Sequence, residues 1–134
     1  MAQEATPEAE ELTPYEMIGG EAVLRRVVDR FYDIMDNDPA AARIRAMHAA
    51  DLSPMRERLF EFMSGWLGGP PLYFQRPDHK CIVSAHRPFA IGESERDEWL
   101  MCMRRALAEE DAPEEVRKLL DEPLSRVANA FRNR

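Results

Sequence analysis

With 134 residues, 45% of them hydrophobic and 32% charged, the chain has the length of one domain and no room for a second. A formal net charge of −7 argues against DNA, RNA or an anionic membrane as partner, because each of these rewards a clustered positive surface. A chain of this size buries about two thirds of the surface that its unfolded form exposes, enough to enclose a cavity of cofactor size.

Residues 1–13 carry Glu4, Glu8, Glu10 and Glu11 without core-forming periodicity, and read as a disordered acidic tail ahead of a single domain over 14–134. From Gly20 the pattern changes. Val23, Leu24, Val27, Val28, Phe31, Tyr32 and Met35 recur at steps of three and four, which predicts a helix with one buried face, ending near Asn37-Asp38-Pro39. A short alanine-rich helical piece, 40–47, leads to His48. Ser53 is placed to cap a helix that Pro54 starts, with Met55, Leu59, Phe62, Met63 and Trp66 on one side. Gly68-Gly69-Pro70-Pro71 stops it, leaving 68–81 as a long connection that contains Tyr73 and His79. A single turn over 82–87 carries His86. A helix over 93–110 presents Trp99, Cys102, Met103, Ala106 and Leu107. The last helix shows Val116, Leu119, Leu120, Leu124, Val127, Ala128 and Phe131, with Pro123 marking a kink or a restart. No window alternates like a strand, so the expected fold is all-α.

Cys81 and Cys102 are far apart and form no Cys-x-x-Cys pair, which predicts reduced thiols rather than a disulfide framework. The N-terminus lacks a basic region followed by an apolar stretch, and no run approaches the length of a membrane span. The expectation is a soluble, cytoplasmic protein.

His86 stands where a short apolar turn meets the stop at Pro88, a position suited to holding a metal. Asp78, His79, Cys81 and His86 place four possible zinc ligands in nine residues, but at no familiar finger spacing. Elsewhere, Tyr32, Trp99 and His48 offer a phenol, an indole that only donates, and an imidazole. Taken singly, each of these reads as easily as a packed aromatic or a surface histidine.

Taken together they do not. Gly19-Gly20, Phe31-Tyr32, Leu59, Trp66-Leu67-Gly68-Gly69-Pro70, His86-Arg87-Pro88-Phe89-Ala90-Ile91 and Arg96-Asp97-Glu98-Trp99-Leu100 follow one another in an order that resembles the truncated haemoglobins of the second group, over about residues 15–131. The resemblance implies a globin-like two-over-two helical sandwich around haem b (iron protoporphyrin IX). By that likeness His86 is the proximal iron ligand. Tyr32, His48 and Trp99 are the ligand-stabilising residues of the distal side, with Met47 the neighbouring candidate for the place of His48. Met55 takes the distal position where other globins have histidine, and Leu59 roofs the iron. Phe62, Met63, Tyr73, His79, Phe89, Ile91 and Met103 complete the walls. Arg58 is expected at a propionate. Relatives usually carry an arginine just before the proximal histidine, where this chain reads Ile82-Val83-Ser84-Ala85, so Lys80 is the expected substitute.

The implied partners are dioxygen, carbon monoxide and nitric oxide. A hydrogen bond to a charged acceptor contributes about 1.5–3 kcal/mol, and each 1.4 kcal/mol is about tenfold in affinity. Two or three donors would therefore hold dioxygen tightly, which suits storage, scavenging or sensing better than bulk delivery. The alternative on the same site is an enzyme, a nitric oxide dioxygenase or a peroxidase-like catalyst, which calls for a reductase as partner. A haem-free helical interaction module is the remaining reading, and it has no use for a His86, Tyr32, His48 and Trp99 constellation.

Overall fold

The computed structural model describes residues 12–134, and among these every regular element is helical. The acidic stretch expected to be disordered lies outside the described residues, apart from Leu12 and Thr13. The latter already belongs to the fold. Its hydroxyl accepts the amide of Glu16 at 3.1 Å while the Glu16 carboxylate takes the Thr13 amide, a capping box that starts α1 (Pro14–Ile18). The Thr-x-x-Glu spacing is a capping signal carried by the chain itself.

Helix α2 (Gly20–Asn37) buries Leu24, Val27, Val28, Phe31, Tyr32, Ile34 and Met35. Asp38 ends it and caps a 3-10 turn (Pro39–Ala41) by accepting the amide of Ala40. The short α3 (Ala42–Ala46) follows, and α4 runs over Ser53–Trp66. Gly68 stands at φ +93°, a conformation open to glycine, and the Gly69 amide reaches back to the Ser64 carbonyl at 2.7 Å, closing the helix. A Cβ on Gly69 would lie 2.5 Å from the Tyr15 ring, so this glycine also lets α1 dock on the end of α4.

The connection expected over 68–81 is not free of structure: α5 (Leu72–Gln75) interrupts it. Helix α6 (Ile82–His86) carries His86, α7 spans Glu93–Glu109, and α8 spans Glu114–Ala130. Pro123 neither stops nor restarts α8, which continues through it. Leu119, expected in the buried stripe of this helix, is exposed, because Val116, Leu120, Leu124 and Ala128 define the packed arc and Leu119 falls at its edge.

Helices α2 and α4 form one pair and α7 and α8 the other, with α2 crossing α7 at the centre, the two-over-two arrangement. The core is concentrated at that crossing. The pairs diverge away from it, and the space so opened is closed by α3, α5 and α6 instead of by core side chains. Among the described residues no helix is long and apolar enough to cross a membrane.

Candidate functional site: a haem-sized cavity between two histidines

A cavity of about 520 Å³ opens between the helix pairs, within the size range of small-molecule and cofactor sites. The face of α4 that reads like core in the sequence lines it: Met55, Leu59, Phe62, Met63 and Trp66. Tyr32, His48, Arg58, Tyr73, Lys80, His86, Phe89, Ile91 and Trp99 line it too, so most of the candidate residues come together in one place. Two do not. Met103 is fully enclosed in the core one turn beyond Trp99, where α2 and α8 pack on α7. His79 is exposed, because the Arg76 carbonyl takes both its amide and its Nδ1, at 3.3 and 2.8 Å, and lays the ring against Tyr73 and Phe74. Asp78, His79, Cys81 and His86 do not converge: among the described residues no three or more His, Cys, Asp or Glu side chains are grouped so as to hold a metal ion.

His86 ends the five-residue α6. Its Nδ1 lies 2.7 Å from the Ile82 carbonyl, one turn back. A carbonyl only accepts, so Nδ1 carries the proton, and in the neutral ring the lone pair is on Nε2. The ring stacks on Phe131 at 4.2 Å between centroids and 14° between planes. After it, Pro88 prevents further helix, and the loop is clamped by Asn133. The Asn133 Oδ1 accepts the Ile91 amide at 2.9 Å, its Nδ2 donates to the Phe89 carbonyl at 2.7 Å, and its own amide donates to the Ile91 carbonyl at 2.8 Å. Two wall residues, Phe89 and Ile91, are thereby held by the segment that follows α8.

His48, just beyond α3, repeats this local geometry: its Nδ1 lies 2.7 Å from the Ile44 carbonyl. Burial is the largest influence on it and pushes its pKa below the usual 6.5, with Arg45 and His86 adding repulsion against the Ile44 bond. The neutral ring therefore keeps its proton on Nδ1 and presents Nε2 as an acceptor. With Nδ1 engaged by Ile44, the donor role expected of His48 Nε2 belongs to the imidazolium. The turn beneath it is stapled by Arg45, whose guanidinium donates to the carbonyls of Ala49 and Ala50, each at 3.0 Å.

Tyr32 is buried, with its ring edge-on to Phe31 at 4.9 Å and to His48 at 5.9 Å, and burial pushes its phenol well above the usual value. Phe31 in turn meets Trp99 at 5.5 Å. Among the described residues, neither the Tyr32 hydroxyl nor the Trp99 indole nitrogen has a hydrogen-bond partner in the protein. Two donors facing a cavity without protein acceptors are what a ligand carrying partial negative charge requires.

The remaining lining is mostly apolar, with Asp51, Glu95 and three basic residues, Arg58, Lys80 and Arg96, as its charged members. Arg58 pairs loosely with Asp78 at 3.6 Å, Lys80 stands exposed, and Arg96 bonds Asp97 and Asn129, both at 3.0 Å. Tyr73 anchors the Lys80 end of the loop, its hydroxyl donating to the Lys80 carbonyl at 2.9 Å and accepting the Lys80 amide at 3.2 Å. Sequence reasoning missed Arg96, Trp66 and Phe131 as lining. Arg96 and Trp66 were inside quoted motifs, whereas Phe131 continues the core stripe of α8 and carries no signal that its end faces a cavity.

A largely apolar slot with the His86 and His48 imidazoles, two donors without protein partners and three basic side chains among its lining has the donor set and size for haem. The model of the bacterial-like globin family matches residues 13–133. The chain belongs to the truncated haemoglobins of the second group. Group 2 truncated haemoglobin YjbI of Bacillus subtilis is 34% identical over 107 residues, 80% of this chain and 78% of that protein. The group II 2-on-2 haemoglobin of Agrobacterium tumefaciens superposes with a TM-score of 0.86 at 40% identity, covering 99% of this chain and 98% of that one. The cold-adapted truncated haemoglobin of Pseudoalteromonas haloplanktis TAC125 gives a TM-score of 0.86 at 38% identity, covering 92% and 99%. Membership implies a haem cofactor and small diatomic ligands such as dioxygen.

Proposed function

We propose that this truncated haemoglobin holds haem b through His86 Nε2 and binds dioxygen and related diatomics tightly on the side of Tyr32 and Trp99. When bound, the haem supplies an iron with one open coordination position for a diatomic ligand. The chain supplies the rest. The Ile82 carbonyl fixes the His86 tautomer and makes Nε2 the ligating atom, while Phe131 holds the ring plane. Met55, Leu59 and Phe62 keep water from the slot, and Arg58, Lys80 and Arg96 stand where propionates would be neutralised.

The observation that carries this reading is the pair of unpartnered donors, Tyr32 and Trp99, in the same cavity as the His86 lone pair. Their bonds grow stronger as negative charge builds on the ligand, which favours dioxygen over carbon monoxide and slows its release. That suits storage, scavenging or sensing. The test is the visible spectrum, oxidised, reduced and under carbon monoxide, of the protein beside His86→Ala. A Soret band that shifts with carbon monoxide and loses its ligated ferrous form in the variant supports the assignment. A protein that takes up no haemin, or a variant indistinguishable from the parent, would sink it.

A second reading rests on His48. A neutral imidazole offering Nε2 accepts a proton from a protic substrate, so peroxide consumption is the enzymatic chemistry that this pocket favours, with a reductase restoring the iron. Peroxide turnover that drops to the level of free haemin in His48→Leu supports this reading, and turnover unchanged in that variant removes it.

A further inference from the structure

Glu98 is the one charged side chain buried among the described residues, and neither the binding of haem nor the handling of a diatomic ligand uses it directly. It precedes Trp99 on α7. Its Oε1 accepts the amide of Ile44 at 3.1 Å, and its Oε2 accepts from the Arg43 guanidinium at 3.1 Å, both on α3. The Ile44 carbonyl is the group to which His48 Nδ1 donates, at 2.7 Å. A carboxylate on the Trp99 helix therefore grips the residue that sets the tautomer of His48. Burying a carboxylate is costly unless it is fully bonded, and Arg43, whose side chain is 63% exposed, is a poor reason to bury one. A backbone amide gripped by a buried carboxylate is a reason of another kind: it fixes where a turn sits.

We propose that Glu98 is a positioning residue for the ligand pocket. It locks α3 to α7 so that the Ile44 carbonyl holds the proton on His48 Nδ1 and Nε2 faces the cavity at a set distance from Trp99. The inference rests on the reading of His48 as proton acceptor in that pocket, but concerns what holds it there.

The test uses the full-length haem-loaded protein and its haem-free form, with Glu98→Ala, Glu98→Gln, His48→Leu and the double variant Glu98→Ala/His48→Leu. Ring nitrogen-15 resonances of His48 and hydrogen exchange of the Ile44 amide are read in the haem-free protein. The carbon monoxide stretching band and peroxide consumption are read in the loaded protein. In Glu98→Ala the Ile44 amide exchanges faster, the resonances of His48 change from a single Nδ1-protonated ring to a mixture, the stretching band splits, and peroxide consumption falls about tenfold. Glu98→Gln keeps an acceptor for Ile44 and restores most of the His48 signature. The double variant consumes peroxide no more slowly than His48→Leu alone, because the two act in series.

Wild-type resonances for His48 in both Glu98 variants, or losses that add in the double variant, would overturn the proposal. Unchanged peroxide consumption in His48→Leu would remove the peroxide reading alone, and the His48 resonances in Glu98→Ala would still decide the role of Glu98. Should Glu98→Ala fail to fold, Glu98→Met, which fills similar space without an oxygen acceptor, takes its place: faster exchange at Ile44 and a mixed His48 ring support the proposal, and wild-type values overturn it.

Discussion

His86 and His48 each follow or end a five-residue helix, and each gives its Nδ1 proton to the carbonyl four residues back at 2.7 Å. Local geometry makes them equals, both with a bare Nε2. What differs is what lies around them. His86 is stacked on Phe131, with the flanking loop clamped through backbone groups by Asn133, a setting made of apolar surface and neutral hydrogen bonds. His48 sits in a turn held by charge: Arg45 grips the carbonyls of Ala49 and Ala50 and the carboxylate of Asp36, and Glu98 grips Ile44. The contrast teaches that the fold sets the ring nitrogen available by one local bond, and sets what that nitrogen is for by the longer-range company it keeps.

Four sets of measurements test that contrast. The largest effect is expected from His86→Ala, which removes the only proposed protein ligand. The ferrous protein should lose its ligated spectrum and recover it when free imidazole is added, while the mirrored change His48→Ala leaves it intact. Loss of the ligated spectrum in His48→Ala instead would reverse the two roles. Next come Tyr32→Phe and Trp99→Phe, each removing one donor to a charged ligand and each expected to speed dioxygen release about tenfold. Stopped-flow rates unchanged in both would remove the donor pair from the argument.

Removing the clamp on the other side costs stability. Asn133→Ala deletes the two side-chain bonds to Ile91 and Phe89 and should lower unfolding free energy by about 1–2 kcal/mol, read by urea denaturation of the haem-free protein. The dioxygen release rate is expected to move less than in Trp99→Phe, because Asn133 touches the wall and not the donors.

The smallest effect is the pH dependence that His48 alone confers. With its pKa depressed in the folded chain, the unfolded chain binds more protons just below the usual value of 6.5. The stability from this group is therefore complete above about pH 6.5 and is lost as pH falls through the lower folded value. His48→Leu should flatten that part of the profile in denaturation measured between about pH 5 and 7. Once protonated, Nε2 becomes a donor as well, so dioxygen release from the parent should slow over the same window and stay level in His48→Leu.

Much of this is legible in the chain itself. The long helices follow from apolar residues at steps of three and four, and Gly68-Gly69 together with Pro54 mark their ends, because backbone geometry at such residues needs no distant partner. Tyr32, His86 and Trp99 are legible through the ordered motifs around them. Met103 is misplaced because a four-residue step from Trp99 puts it on the same side of α7, and periodicity does not say where along a helix the core ends and a cavity begins. Phe131 is missed for the converse reason, since the stripe of α8 continues past the core to the cavity wall. His79 reads as a site residue until the Arg76 carbonyl turns it outward.

By itself, then, the sequence determined the helical class and the motifs that mark its family, since helix periodicity and proline stops are local properties of the chain. Only the tertiary structure decided that the α4 stripe lines a cavity as well as core, that His48 Nδ1 meets the Ile44 carbonyl, and that Glu98 meets the Ile44 amide. The first and last of these depend on which carbonyl, carboxylate or ring arrives from a helix some fifty residues away, as Glu98 does at Ile44, and no local pattern encodes that arrival.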